Sequence, residues 1–425
     1  FFALRGPNHD GHDYVPEALA RGASIIVATH RDKGWKLPPA TAVVTVEDTT
    51  DALMDLASWH RNRLRGRVMA ITGSCGKSTT KTMTAAILHR VGECTAAPRS
   101  YNNRIGVSLS LLAASPRDDY VVLELGTSSP GEIDELASLA RPDAALITCI
   151  GETHLEGLGS RQGVKEEKAD IIDHIRRDGL LVLNADDPLC ASLAGRHPGE
   201  VRTFGFSPSA DLRVHGHRRE ESGQVFRLRE TPIHLPVAGR HNALNASAAA
   251  LLCLWAGADM EDVAAGLRNV RLPELRMEER MVGGMRFLLD CYNASPPAMQ
   301  AALKTFLRRP TRRRRVMLCG DMLELGEQSP RLHRRLGRAM ALTRVDLLLA
   351  IGPQSKHTVE GWQELAAPGQ YAIHLDSTEE AGKRLVAFLN PGDEILVKGS
   401  RGMELEKVVE QIESCLQHQT GEAAA

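Results

Sequence analysis

The chain has almost no net charge. Its 52 Lys and Arg stand against 53 Asp and Glu in 425 residues, so no global field draws it to nucleic acid or an acidic membrane. It has no Cys-x-x-Cys pair. The eight cysteines are scattered, which suggests neither a zinc site nor a disulfide framework. No apolar run reaches the ~18 residues of a membrane-spanning helix, so no membrane insertion is expected. The opening shows no signal-peptide pattern, which together with the cysteine usage predicts a reducing cytoplasm. It also lacks an initial Met: Phe1-Phe2-Ala3-Leu4 begins inside what reads as a strand, so an upstream piece is expected. What remains is ordinary globular composition, 43% hydrophobic and 25% charged, with a length that suggests about three domains.

The most specific segment is Val68-Met69-Ala70-Ile71-Thr72-Gly73-Ser74-Cys75-Gly76-Lys77-Ser78-Thr79-Thr80. An apolar run ends in a glycine-bracketed loop, followed by Lys-Ser-Thr and a helical pattern from Lys81 to Val91. Loop N–H groups and a helix N-terminus can cradle phosphate oxygens, the Lys adds a cation, and the first hydroxyl can reach Mg²⁺. Only Ser74 and Cys75 separate the glycines, a shorter loop than the usual G-x-x-x-x-G-K-[ST]. The alternative is a structural turn.

The predicted fold is α/β in three domains. Residues 1–66 hold short apolar runs (25–28 and 42–46) and a helical pattern over 50–63, a small N-terminal α/β substrate domain, with Arg65-Gly66-Arg67 as a linker. Residues 67–272 alternate strands (68–72, 120–125, 144–150, 180–184) with helices, which predicts a mostly parallel sheet; 199–237 reads as a small antiparallel β insert. Residues 273–425 form a third, Rossmann-like unit with strands at 287–290, 315–319, 347–351 and 394–398. The tail 421–425 is expected to be disordered. Six arginines crowd positions 308–315 without interleaved aromatics, and read as a solvated connection rather than a nucleic-acid site.

Several polar residues fall at predicted strand ends. Glu124 could hold Mg²⁺ or cap the helix at 131–140. His154 could serve a metal or phosphate, or be a surface residue. Lys168, among Glu166, Glu167 and Asp170, reads as part of a solvated charged face. Asn184 to Asp187 reads as a helix cap. Asn242 could face adenine or cap its helix, and Asp290 could bind ribose hydroxyls. Lys398-Gly399-Ser400-Arg401-Gly402 forms either an anion site or a helix start with exposed charges.

Together with Ala3-Leu4-Arg5-Gly6, Asp10-Gly11-His12, Asn102-Asn103-Arg104-Ile105-Gly106, Pro130-Gly131-Glu132-Ile133, Asp290-Cys291-Tyr292-Asn293-Ala294 and Gly320-Asp321-Met322-Leu323-Glu324-Leu325-Gly326, these segments resemble the Mur ligases, ATP-dependent enzymes of peptidoglycan peptide synthesis. The resemblance spans nearly the whole chain in the family's order. It implies ligation of D-alanyl-D-alanine to a UDP-linked muramoyl tripeptide by a cytoplasmic monomer with ATP and Mg²⁺. Gly73, Ser74, Cys75, Gly76, Lys77, Ser78 and Thr79 would hold phosphates with Asn102 or Asn103, while Asn242, Arg276 and Asp290 would complete the ATP site. Ser78 and Glu124 would hold one Mg²⁺, and His154 would face a second. Lys168 matches a lysine carried as a CO₂-derived carbamate, and Lys77, His154 and Lys168 would be catalytic. Asp10, His12, Ser128, Asn293, Lys398, Ser400 and Arg401 would serve the substrates. Departures from the family pattern are Ser128-Ser129, Leu289 and Ser295. A strand and a Ser-Arg pair that help bind uridine would lie upstream of Phe1, so UDP recognition is expected to be incomplete. The rival readings are a different amide ligase of this superfamily, adding one amino acid to a muramoyl peptide or glutamate to folate, and a P-loop switch or nucleic-acid ATPase.

Overall fold

The computed structural model describes residues 1–220 and 223–422. Three β-sheets organise them. The first is a parallel pair, Ile25–Ala28 and Ala42–Thr45. Its own core is small, built on Ala3, Val15, Ile26 and Ala28. Helix Thr49–Arg61 begins at Asp48, whose carboxylate accepts from the N–H groups of Thr50 and Asp51. That helix lends Ala57 to the large core beneath the second sheet. Arg61 adds bonds to the carbonyls of Ala140 and Arg141 at 2.7 and 2.8 Å. The expected linker is therefore a tight crossing: a Cβ on Gly66 would strike the backbone of Asp118 and Asp119.

The second sheet has nine strands, ordered Thr231–Leu235, Gly223–Leu228, Leu212–Glu220, Glu200–Gly205, Leu180–Asn184, Ala144–Ile147, Arg67–Thr72, Tyr120–Glu124 and Cys94–Ala96. Its central strands are apolar on both faces because both are covered. Val68 and Ala70 enter one core, Met69 and Ile71 the other, as the period of two requires. The 199–237 segment differs from expectation. Glu200–Gly205 pairs parallel with Leu180–Asn184, and Leu212–Glu220 starts parallel to it. Only the last two strands run antiparallel, so the segment extends the sheet rather than standing apart. Its polar, strand-like residues reflect the edge of the sheet.

The third sheet is ordered Glu278–Val282, Met285–Leu289, Glu394–Lys398, Arg315–Gly320, Leu347–Ile351 and Tyr371–Leu375. Only its first strand is antiparallel. Met317 and Cys319 share the core that lies under the second sheet, while Val316 and Leu318 face the far side. That shared core sets the carboxyl ends of the two sheets against one cleft. Helix Leu405–Glu422 runs into the tail expected to be disordered; 423–425 lie outside the described residues. Among the described residues no helix is long and apolar enough to cross a membrane.

Candidate active site

The loop after strand Arg67–Thr72 needs both of its glycines. Gly73 has φ +140° and Gly76 φ +86°. A Cβ would run into Thr148 at the first and the Asn245 amide at the second. Helix Lys77–Leu88 starts at Gly76 with no side-chain cap, so its leading N–H groups and dipole face outward. Lys77 Nζ lies back over the loop, 2.9 Å from the Gly73 carbonyl. Beyond the loop opens a cavity of about 260 Å³. Ser74 to Thr79, Asn102, Glu124 and Asn242 line one side; Arg276, Asp290, Asn293 and Lys398 line the other.

Glu124 ends its strand almost fully buried. Asn102 Nδ2 donates to its Oε1 at 3.0 Å, whereas Asn103 spends its carbonyl as a helix cap for Gly106 N–H. Lys81 Nζ sits 3.2 Å from Glu124 Oε2. It is out of hydrogen-bond alignment, so that buried oxygen has no donor directed at it. Burial pushes the Lys81 ammonium down, against the pull of Glu124. Arg276 Nη2 donates to Ser78 Oγ at 3.0 Å and stacks 4.4 Å over the Tyr292 ring. Tyr292 in turn donates to Ser100 Oγ at 2.6 Å. Among the described residues no three His, Cys, Asp or Glu side chains form a metal cluster. Mg²⁺ does not need one: it usually takes one or two carboxylates plus substrate phosphates and water. The orphaned Glu124 oxygen and the Ser78 hydroxyl beside a phosphate loop fit that pattern.

The expectation for Lys168 as part of a solvated charged face fails. It is fully buried on helix Arg161–Ala169, and its Nζ has no hydrogen-bond partner. Burial foremost, then the Lys77 charge, lowers its pKa to about 7. Glu167 beside it is buried too. It accepts from Gly131 N–H, Ile133 N–H and Thr127 Oγ1 at 2.7 to 2.9 Å, and so caps the helix Glu132–Ala140. Capping that helix is therefore the work of Glu167 and not of Glu124. The neutral amine is the form that adds CO₂, and a value of about 7 makes that form accessible near neutral pH, so Lys168 fits a carbamate.

Other expected residues lie apart from the cavity lining. His154 has a left-handed backbone (φ 54°) and pairs through Nδ1 with Glu324, itself at φ 61°. The His154 ring, by its hydrogen bond, holds the Glu324 carboxyl below its ordinary value. With Arg335–Glu152, this pair ties the two sheets' loops together. Ser400 Oγ accepts from Leu323 N–H at 3.0 Å, and Arg401 pairs with Glu406 at 2.6 Å. Asp10, His12 and Ser128 do not line the cavity. His12 donates from Nδ1 to Asp10 at 2.5 Å and accepts at Nε2 from Thr29 N–H; the His12 N–H and ring hold Asp10 down to about 2. Ser128 N–H donates to Glu132 at 2.6 Å.

Lys398 is buried and donates three times: to Asp290 Oδ2 at 2.7 Å, to the Asp290 carbonyl at 2.9 Å and to the Asn293 carbonyl at 3.0 Å. It shapes the loop that presents Asp290 to the cavity. Lys398→Met should leave a carboxylate and two carbonyls without a donor, at roughly 2–4 kcal/mol of stability. Thermal unfolding reads that loss; an unchanged melting temperature would contradict it. Asn242 donates to the Ala238 carbonyl at 2.8 Å while remaining on the cavity wall.

Sequence reasoning missed Lys81, Ser100, Tyr292 as a contact across the cleft, and Glu167. Val164, Glu167, Lys168 and Ile171 share one helical face by their spacing of three, four and seven, with apolar residues at both ends. That signal could have placed Glu167 and Lys168 inside.

Residues 71–253 match the Mur ligase middle domain, and residues 275–401 the Mur ligase, glutamate ligase domain. The UDP-N-acetylmuramoyl-tripeptide–D-alanyl-D-alanine ligase of Bacillus subtilis (strain 168) is 33% identical over 97% of this chain and 90% of its own. That of Escherichia coli (strain K12) is 35% identical at the same coverages. Among solved structures, MurF from Acinetobacter baumannii superposes with a TM-score of 0.88 at 29% identity, covering 97% of this chain and 90% of that one. MurF from Thermotoga maritima in complex with ADP gives 0.81 at 27% identity, covering 99% and 95%.

Proposed function

The chain belongs to the Mur ligase family, and from that premise we propose how its cleft works. The enzyme joins D-alanyl-D-alanine to UDP-N-acetylmuramoyl-tripeptide in peptidoglycan synthesis, with ATP as the energy source. The single observation that carries the site assignment is the facing of two strand-end clusters. The phosphate loop with Glu124 looks across one cavity at Arg276, Asp290 and Lys398.

In this reading Ser74 to Thr79 hold the triphosphate by backbone N–H groups, and Lys77 swings from the Gly73 carbonyl onto its terminal oxygens. Asn242 meets adenine and Asp290 the ribose. Ser78 and Glu124 would hold Mg²⁺, which neutralises phosphate charge when bound. A carbamate on Lys168, with His154, would serve a second ion. The tripeptide carboxylate attacks the γ-phosphate, giving an acyl phosphate and ADP. The dipeptide amine then attacks the acyl carbon, and phosphate leaves. Shielding that acyl phosphate from water is a task for the contacts between the two sheets' loops, His154–Glu324 and Arg335–Glu152. Lys398, Ser400, Arg401 and Asn293 lie on the dipeptide side; Asp10, His12 and Ser128 belong to the muramoyl-peptide side. The working divisions are 1–66, 67–272 and 273–425. We take the working unit to be a monomer in the cytoplasm.

Phosphate release from ATP, measured with each candidate acceptor and amine, tests the reading. Turnover should require UDP-muramoyl tripeptide plus D-alanyl-D-alanine. Release driven by folate and glutamate, or by nucleic acid, would overturn it.

A further inference from the structure

We propose that Cys75 and Cys149 form a reversible disulfide that locks the phosphate loop against nucleotide. The proposal rests on the reading of that loop as the ATP site.

The two cysteines sit on neighbouring segments. Ser74 N–H donates to the Cys149 carbonyl at 2.9 Å, Thr148 Oγ1 donates to the Cys75 carbonyl, and Cys149 Sγ lies 3.8 Å from that same oxygen. The two segments therefore run side by side, with the Cys149 sulfur set against the Cys75 backbone, and a disulfide asks that their Cα atoms come within ~4.4–6.8 Å. Both residues are half-buried and line the cavity, whereas Cys94, Cys190, Cys253, Cys291 and Cys319 are buried. An oxidant small enough to enter the cleft therefore meets these two.

Their chemistry is complementary. The Cys149 thiol, more than any other neighbour, stabilises the Cys75 thiolate; against burial, Ser295 at 3.3 Å and the Lys77 and Lys398 cations add to this and bring Cys75 to about 6. Cys149 is pushed well above its ordinary value by the same pairing and by burial. Cys75 is thus the nucleophile and Cys149 the resolving thiol. With hydrogen peroxide as oxidant, the Cys75 thiolate attacks one oxygen. The O–O bond breaks, an S–O bond forms, and the other oxygen leaves as water after taking up a proton. Cys149 sulfur then attacks the Cys75 sulfenic sulfur. The S–S bond forms, the S–O bond breaks, and the hydroxyl leaves with the Cys149 proton as a second water. Peroxide gains the electron pair that the two thiols lose.

The link would fasten Cys75 to the cavity floor, where loop N–H groups must meet phosphate. The test treats the whole chain with hydrogen peroxide, maps its peptides and measures ADP binding before and after dithiothreitol. Expected are a peptide joining Cys75 to Cys149, loss of ADP binding, and recovery of binding on reduction. Cys149→Ala should form no joined peptide, and peroxide should leave a sulfenic acid on Cys75 that dimedone traps. Protein that binds ADP when reduced but forms no joined peptide, or forms it and still binds ADP, overturns the switch alone. Reduced protein that binds no ADP overturns the nucleotide reading, and the switch with it.

Discussion

Replacing Lys168 by Ala should remove phosphate release and ligation together, by about a thousandfold or more, as loss of a metal-binding group worth several kcal/mol implies. Lys168→Arg should not restore them. The amine is fully buried without a partner, and an isolated buried cation is among the costlier features a fold can carry. A guanidinium keeps the charge but cannot add CO₂. If Lys168→Arg worked normally, the carbamate role would be wrong. Lys168→Met separates function from folding. It should be as inactive as the Ala variant, yet at least as stable as the parent in CO₂-depleted buffer. The sign with pH follows from a folded value of about 7 against 10.5 for the free side chain. Below pH 7 the amine is charged folded and unfolded, so the penalty of burying it is complete. Between pH 7 and 10.5 the unfolded chain holds a proton that the folded chain has released, and the parent gains stability. The advantage of Lys168→Met should therefore be largest below pH 7 and shrink above it. Denaturant melts across that range read this directly; an advantage that grows with pH would contradict it.

Much of this site could be read in the sequence because parallel sheets write their chemistry at strand ends. The runs ending at Thr72, Glu124, Asn184, Leu289 and Lys398 are apolar on both faces, so their first polar residues stand out. Strands Leu180–Asn184, Leu347–Ile351 and Glu394–Lys398 lie where their apolar runs predict. The loop glycines were legible for the same local reason. What could not be read was non-local. Ser100, Tyr292, Arg276 and Ser78 touch only because two sheets share one core. Lys81 meets Glu124 through the packing of a helix on a neighbouring strand. Lys168 was misjudged because four consecutive charged residues, Lys165 to Lys168, hide a helix face bracketed by Val164 and Ile171. The pair Asn102–Asn103 was ambiguous until the helix start at Arg104 took Asn103 as its cap.

The second large effect should come from Lys77. Its Nζ rests on the Gly73 carbonyl, 2.9 Å away, one side-chain rotation from where the terminal phosphate would sit above the helix N-terminus. Phosphoryl transfer asks the protein chiefly for positioning and charge neutralisation. A cation about 4 Å from developing negative charge, at an effective dielectric near 20, is worth roughly 4 kcal/mol, or about a thousandfold in rate. Lys77→Met keeps the aliphatic stem and removes that charge together with the hydrogen bond to the Gly73 carbonyl. Phosphate release should fall by about that factor, while ADP, which lacks the γ-phosphate and still meets the loop N–H groups, Asn242 and Asp290, should lose far less affinity. Lys168 should respond as well, because Lys77 is the strongest charge acting against its protonation. In Lys77→Met the Lys168 amine should stay protonated to higher pH, and the CO₂ concentration needed for activity should rise. A variant that lost ADP binding and turnover equally would show Lys77 shaping the loop rather than stabilising the transferred phosphoryl group.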